Sequence, residues 1–302
     1  SILGAFSQAM GMAITKRILQ SKGLNNFIAF SSFIFGGFLL GTVFYFQNGN
    51  LVFEINNVGK FWQGIFFGVS FNVLAVYFLY KALSIADLSY LMPFMVLTSI
   101  FIIIPAIFIL KEIPSIVGVI GIFVVVAGAI LMEFKKRRSA DEKPNDYENK
   151  KKSNSRGLVY FLVTAACYVV TSVYIKVAVI ESSPLAASFL INLLIGASFI
   201  PLVFVSKEWL RIKETILLKG SESRRFIMTL LLVGAVMSVE HISINSAFTL
   251  ADVSYVMAIK RTMPFFAFVI GYAYFKEREH AKRKLMATAL MIAGAILIVL
   301  FN

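Results

Sequence analysis

The sequence contains little of the chemistry on which most enzymes and metal-binding proteins depend. Its 302 residues include one cysteine and two histidines, and charged residues make up only 15% of the total. The single cysteine, Cys167, excludes an intramolecular disulfide and a cysteine-based zinc cluster. The low charged fraction argues against an ordinary soluble domain, in which roughly a quarter of the residues are charged.

Long apolar stretches occupy most of the chain. Hydrophobic residues make up 59% of it, and the mean hydropathy is +0.82. About 20 apolar residues in a helix span the hydrocarbon core of a bilayer, and stretches of this length recur from end to end. We therefore predict an all-α integral membrane protein with ten transmembrane helices. The candidate spans are residues 1–19, 27–46, 61–80, 88–110, 115–134, 157–179, 185–205, 226–247, 253–275 and 285–301.

Lys and Arg residues are concentrated in alternate loops. Nine lie in residues 135–156, six in 207–225 and five in 276–284, whereas the loops of the other side carry Lys60 and Lys111. The positive-inside rule predicts that the odd-numbered loops are cytoplasmic and that both termini lie outside. The net charge of +13 thus reflects membrane topology, and we expect no nucleic-acid partner, which would need basic and aromatic residues interleaved on one face.

Two polar segments lie between the apolar stretches. Residues 135–156 show no apolar periodicity and are predicted to be a basic cytoplasmic linker between two halves, residues 1–134 and 157–302. The loop after residue 206 places Trp209 and Leu210 at near-helical spacing with later apolar residues. This spacing predicts a short helix that anchors on the cytoplasmic surface of the membrane.

The two halves share sequence motifs in the same order. The matches are ALSIADLSYLM (82–92) with AFTLADVSYVM (247–257), Lys111-Glu112 with Lys276-Glu277, and AGAIL at 127–131 and again at 293–297. Each half contains five candidate spans, an odd number, so the second copy enters the bilayer upside down relative to the first. The pattern predicts two inverted five-helix repeats, an arrangement that places a substrate near the midplane between them.

These features resemble the drug/metabolite transporter superfamily, EamA type. The resemblance rests on the five-plus-five layout, the segments SIADLSYLMPF and TLADVSYVMAIKRTMPFFAF, the Lys-Glu pairs and the AGAIL motifs, and it covers essentially the whole chain. It implies a ten-helix bundle with a central cavity that works by alternating access. It does not imply a substrate, because the superfamily includes exporters of amino acids and drugs, nucleotide-sugar carriers and phosphate-ester exchangers.

Charged residues inside the candidate spans need an explanation, because a Lys or Arg near the bilayer centre costs ~2.5–3.5 kcal/mol. Glu240 in span eight and Arg261 in span nine lie at similar depths, counted at about 1.5 Å per residue, and we predict a salt bridge between them. Lys260 would then be an unpaired cation, which an anion from solution could neutralise. The Lys-Arg pair also resembles the pair in plastid phosphate-ester translocators, which implies that Lys260 and Arg261 bind an anionic substrate.

Further polar residues are candidates for substrate binding or the transport path. His241 shares a helical face with Asn245, and either His241 or Glu240 could couple transport to protons, although an interhelical hydrogen bond explains them equally well. Two remaining pairs also have structural explanations. Lys16 and Lys176 lie late in the first span of each half and could snorkel to the interface, and Tyr90 and Tyr255 suit either a cavity edge or an aromatic belt.

The sequence favours a secondary active transporter, exporter or exchanger, of a small and anionic organic metabolite. The alternatives are a flippase for a lipid-linked phosphate and a proton-coupled exporter of amino acids or cationic drugs that uses Glu240. A membrane enzyme fits least, because no nucleophile or metal-ligand constellation is present, and we expect no cofactor or metal. The expected partners are the bilayer and a small-molecule substrate, the expected location is a bacterial inner membrane, and the oligomeric state stays open.

Overall fold

A computed structural model describes residues 1–86, 88–133, 144–217, 221–263, 265–266 and 281–300. All regular secondary structure in these ranges is helical, which confirms the all-α prediction for them. The helices are α1 (Ile2–Lys22), α2 (Asn25–Asn48), α3 (Val58–Ile85), α4 (Leu88–Phe101), α5 (Ile103–Pro105) with a π-helical turn after it (Ala106–Leu110), α6 (Ile116–Glu133), α7 (Pro144–Ile180), α8 (Pro184–Ser198), α9 (Ile200–Val205), α10 (Glu208–Leu217), α11 (Ser221–Phe248), α12 (Val253–Lys260) and α13 (Ala281–Leu300).

Several helices are long and apolar enough to cross a membrane. Five qualify fully, namely Asn25–Asn48, Val58–Ile85, Lys152–Ile180, Pro184–Val205 and Glu222–Phe248, and shorter apolar helices cover Phe94–Leu110, Ile116–Met132 and Leu285–Leu300. Large apolar side chains lie exposed on the surface, such as Phe46 at 81% and Phe108 at 80%, as expected where lipid replaces water. The chain is therefore a multi-pass membrane protein. The count of ten spans stays a prediction, because α1 is not among the five and residues 267–275 lie outside the described ranges.

The helix boundaries differ from the predicted spans in two places. The helix α7 begins at Pro144, so the second part of the predicted linker is already helical, while residues 134–143 lie outside the described ranges. Span four is not one regular helix, because its α-helical part is interrupted at Ile102 and becomes π-helical after Pro105. Proline removes a backbone donor and obstructs the preceding turn, which accounts for the change in hydrogen bonding at this point.

Glycines allow the principal helix pairs to approach closely. The helix α3 packs along α7, where a Cβ at Gly64 would lie 2.7 Å from the backbone nitrogen of Ala178. The helix α6 packs along α13 in the same way, and Gly121 and Gly294 each face the other's carbonyl oxygen. The helix α2 packs along α8, and α1 against α11. Small residues at such contacts let apolar helices associate in a membrane.

The helix α10 confirms the predicted short helix between spans seven and eight. Its first residue, Glu208, is 5% exposed and accepts backbone hydrogen bonds from Asn26 (3.3 Å) and Phe27 (2.8 Å), at the start of α2. A carboxylate at this place satisfies amide groups that have no partner within their own helix. The side chain of Arg211 also donates to the carbonyl oxygen of Gly23. These contacts fix α10 against the connection between α1 and α2.

Candidate functional site

A polar cavity of about 100 Å³ lies among α1, α2, α3, α7, α8, α11 and α12, inside an otherwise apolar bundle. Five of the predicted site residues line it together: Glu240, His241, Asn245, Lys260 and Arg261. The sequence did not single out the other polar residues of the wall, which are Gln8, Thr15, Asn72, Tyr80, Tyr168, Thr171, Ser172 and Asn192. The cavity therefore gathers polar groups from both halves of the chain, while its three charged side chains all come from the second half.

Glu240 of α11 forms an ion pair with Lys260 of α12, and its Oε1 lies 2.8 Å from Nζ. The two side chains are 9% and 12% exposed, so both charges are largely removed from solvent. The predicted salt bridge between Glu240 and Arg261 was therefore wrong in its basic partner. Counting along the helices placed the right region at the right depth, but it could not decide which of two adjacent bases turns toward α11.

Arg261 is buried in the cavity wall, at 4% exposure. Its Nη2 donates to Thr98 Oγ1 at 2.8 Å, and Thr98 Oγ1 donates in turn to the carbonyl oxygen of Met95 at 2.6 Å. Its Nε is buried with no hydrogen-bond partner in the described part of the chain. Neighbouring helical residues point about 100° apart, so the two bases line one cavity but reach different partners, Lys260 pairing with Glu240 and Arg261 with Thr98.

His241 belongs to a hydrogen-bond network between α11 and α8. Its Nδ1 lies 2.9 Å from Asn192 Oδ1, while Asn192 Nδ2 donates to the carbonyl oxygen of Ser188 at 2.7 Å. Because the amide of Asn192 is oriented by that second bond, the proton of a neutral His241 lies on Nδ1. Asn245 Nδ2 donates to Ser188 Oγ at 2.7 Å, and the His241 ring stacks on Phe33. The network fixes the position of the imidazole on the cavity wall.

Lys176 lies at a different place, where α7 ends and α12 begins. Its Nζ is 2.5 Å from Glu112 Oε1 and donates to the carbonyl oxygen of Ala251 at 2.6 Å. Glu112 Oε2 accepts the backbone N–H of Val253, the first residue of α12, at 2.8 Å. We call these four residues the Lys176 clamp. The alternative that Lys176 snorkels to the interface is wrong, because this lysine is 4% exposed and ion-paired.

Tyr255 adds a further contact at the same end of the bundle. Its hydroxyl accepts the backbone N–H of Ser115 at 2.8 Å, and a second pocket there is lined by Tyr255, Lys176, Glu112 and Asp252. Asp252 lies in the connection between α11 and α12. Burial raises the pKa of its carboxyl, the neighbouring Glu112 charge raises the pKa further, and Lys176 opposes both effects. The clamp and Tyr255 thus join three segments of the chain around this pocket.

Two predicted site residues lie outside the lining of both pockets. Tyr90 is 37% exposed and packs against Phe94, with ring centroids 6.2 Å apart. Lys16 is partly buried in α1. In the residues that the structure describes, no group of three or more His, Cys, Asp or Glu side chains could hold a metal ion.

Comparison with known proteins places this geometry in a family. The model of the EamA-like transporter family matches residues 1–134 and 155–300. The chain belongs to this family, within the drug/metabolite transporter superfamily. No curated protein matches it. One solved crystal structure is 15% identical with a TM-score of 0.66, and the alignment covers 99% of this chain and 94% of that chain, which shows a shared fold alone.

In this EamA-like transporter, the neutral polar residues that line the cavity could not be predicted from the sequence. Gln8 and Asn72 lie in apolar stretches where a single amide shows no recognisable pattern, although both are buried at 7% exposure. The one available signal was that a polar side chain inside a membrane helix needs a partner or a function. In the sequence, Glu112 stood out only as part of the repeated Lys-Glu pair. Its contact with Lys176 could not be predicted, because the two residues are far apart in the chain.

Proposed function

We propose that this EamA-like transporter is a secondary carrier, exporter or exchanger, for a small organic anion. The observation that supports this most is the charge of the central cavity. Glu240 neutralises Lys260, so Arg261 is left with the neutral hydroxyl of Thr98. Among the described residues, Glu240 is the only carboxylate in the cavity wall. A buried cation without a counter-ion is costly, and a carboxylate or phosphate from solution matches the planar guanidinium.

Alternating access between two inverted five-helix repeats is the second part of the proposal. The packing of α3 on α7 has a counterpart in that of α11 on α1, as an axis in the membrane plane requires. Individual contacts agree with this symmetry. In one half, Thr164 Oγ1 lies 3.2 Å from the carbonyl oxygen of Ala75. In the other, a Cβ at Gly4 would lie 3.5 Å from the carbonyl oxygen of Glu240. The repeat aligns Gly4 with Thr164 and Ala75 with Glu240, and the two ranges matched by the family model support it as well.

The transport cycle of alternating access would have to break the contacts of the Lys176 clamp. With both termini outside, as the positive charges indicate, the clamp lies at the outer end of the bundle. There it ties α7 and the segment after α4 to the start of α12. Entry of substrate from that side requires these segments to separate. We place the carrier in a bacterial inner membrane, in line with the cytoplasmic excess of basic residues.

The alternatives fit the cavity less well. An exporter of cationic drugs or amino acids would use Glu240 as its ligand, but Lys260 already occupies that carboxylate at 2.8 Å. A flippase for a lipid-linked phosphate would use the same cations, but ligand pockets for drug-sized molecules measure ≈300–1,000 Å³. The cavity, at about 100 Å³, suits a smaller solute. The charge and the volume therefore both favour a compact anion.

A thermal-shift screen tests the proposal. Detergent-purified protein is heated with inorganic phosphate, phosphorylated metabolites, carboxylates, neutral amino acids and cationic drugs. A ligand at 100 times its Kd stabilises the folded state by ≈2.7 kcal/mol, and we expect this for anions. The stabilisation should vanish in Arg261→Gln and persist in Arg225→Gln, a matched control at an exposed position. Stabilisation by cations or neutral solutes that survives Arg261→Gln would make the arginine structural and Glu240 the substrate ligand.

A further inference from the structure

Three neutral side chains of the central cavity have a buried oxygen atom with no hydrogen-bond partner in the described part of the chain. They are Gln8 of α1, through Oε1, Tyr80 of α3, through its hydroxyl, and Thr171 of α7, through Oγ1. Gln8 is 7% exposed and Thr171 is 2% exposed, and both line the same cavity as Arg261. Buried polar groups in folded proteins are nearly always hydrogen-bonded, so each of these atoms needs an explanation.

The four unsatisfied atoms of the cavity require different partners. Arg261 Nε is a donor and requires an acceptor, for which an anionic oxygen is the strongest. Gln8 Oε1 is an amide oxygen that can only accept, so it requires an N–H or O–H group. The hydroxyls of Thr171 and Tyr80 both donate and accept, so either kind of partner satisfies them. An anion without a donor group would satisfy Arg261 and leave Gln8 unsatisfied.

The size of the cavity limits what can bring both kinds of group. A single water needs roughly 10–15 Å³ of volume measured with a water-sized probe, and the cavity offers about 100 Å³. This leaves room for a molecule of on the order of ten non-hydrogen atoms. One compact molecule must therefore carry both an anionic group and a hydrogen-bond donor, and these two groups must lie close together.

We propose that the transported anion also carries a hydroxyl group, and that Gln8 and Thr171 determine specificity by binding it. The substrate class is then a small hydroxy acid or phosphorylated polyol. This inference rests on the proposed function, because it takes Arg261 as the ligand of the anionic group. It adds that the neutral residues of α1 and α7 distinguish such a molecule from an anion of the same charge and nearly the same size.

The test uses matched anions that differ by one donor group. Binding of lactate and propionate to the full-length, detergent-purified protein is measured by titration calorimetry. A site built to bind a hydroxyl rejects an analogue that lacks it, because its own polar groups are then left without partners. We expect lactate to bind at least about 10-fold more tightly than propionate, because one unsatisfied buried polar group costs about that much in affinity.

Near-isosteric variants assign the effect to residues. In Gln8→Met and in Thr171→Val the oxygen is removed while the volume changes little, so the preference over propionate should fall, and in the double variant it should fall to about two-fold or less. Gln63→Met is the matched control, since Gln63 is exposed on α3 and away from the cavity. The ratio of two affinities is the readout, so a variant that does not fold binds neither ligand and is recognised at once.

The outcomes separate this inference from the proposed function. If wild type binds lactate and propionate equally and Arg261→Gln binds neither, the anion carrier stands and the role of Gln8 and Thr171 is refuted, with water filling their positions. If the preference for lactate survives in the double variant, other residues recognise the hydroxyl and the assignment is wrong. If no anion binds wild type and cationic or neutral solutes do, the proposed function and this inference fail together.

Discussion

Replacing Lys176 with methionine tests the Lys176 clamp. The change keeps the length of the side chain and removes its charge, so Glu112 loses the ammonium at 2.5 Å and Ala251 loses a donor at 2.6 Å. Removing one partner of a buried ion pair costs about 3–5 kcal/mol, whereas hydrogen bonds between membrane helices average about 0.6 kcal/mol. Glu112 is 13% exposed and keeps the N–H of Val253. We therefore expect a loss between these limits, about 2–4 kcal/mol of unfolding free energy.

Reversible unfolding of the purified protein in mixed detergent micelles measures this loss. Lys60→Met is the matched control, because Lys60 also pairs with a glutamate, Glu181 at 3.9 Å, but is 64% exposed. An exposed pair is worth about 0–1 kcal/mol. Adding Glu112→Gln to Lys176→Met removes the uncompensated charge, so the double variant should regain part of the stability. Equal losses for Lys176→Met and Lys60→Met, or additive losses in the double variant, would refute the clamp as a coupled ion pair.

Two further predictions concern buried or partly buried carboxylates. Glu240→Gln and Lys260→Met should each lower the midpoint of thermal unfolding, and the double variant should be more stable than the sum of the two losses predicts, because neither charge is left alone. Losses in unfolding free energy that simply add would contradict the ion pair. Because the pKa of Asp252 is raised, its protonated form is favoured in the folded state, and stability is lost as the pH rises above the ordinary value of 3.8. Asp252→Asn should therefore stabilise the protein at pH 7 and have little effect near pH 4. Unfolding midpoints at the two pH values check the sign, and a destabilised variant at pH 7 would contradict it.

The helices themselves could be predicted because lipid imposes one requirement on the whole chain. Every spanning segment must satisfy its backbone groups internally and present apolar side chains, so hydropathy alone locates it. The stretch 27–46 was predicted and α2 runs over Asn25–Asn48, with the extra residues polar and at the ends. The short helix α10 was found for a similar reason, since apolar residues at helical spacing in a basic loop indicate a helix on the surface.

The partners of the charged residues could not be predicted from the same patterns. Depth along a helix follows from counting, but the partner of a side chain depends on which segments the fold brings beside it. Arg261 donates to Thr98, a residue of α4 that is far from it in the chain. Lys176 shows the same. Its distance from the end of its span suggested snorkelling, and only the fold brings Glu112 within 2.5 Å of it.

In the inverted repeat that we propose, the polar groups of the cavity form an asymmetric site within a symmetric frame. The position that the repeat aligns with Glu240 is Ala75, which is fully buried and accepts a hydrogen bond from Thr164 through its backbone. At the other contact, a Cβ at Gly4 would meet the side chain of Ile244 at 2.7 Å and the carbonyl oxygen of Glu240 at 3.5 Å. Neither contact involves the side chain at the aligned position, which can therefore be alanine or glutamate. The proposed exchange between two states of similar energy needs this packing to be alike in both halves. Recognition of a substrate has no such requirement, and one half can therefore carry Glu240, Lys260 and Arg261 without disturbing the frame.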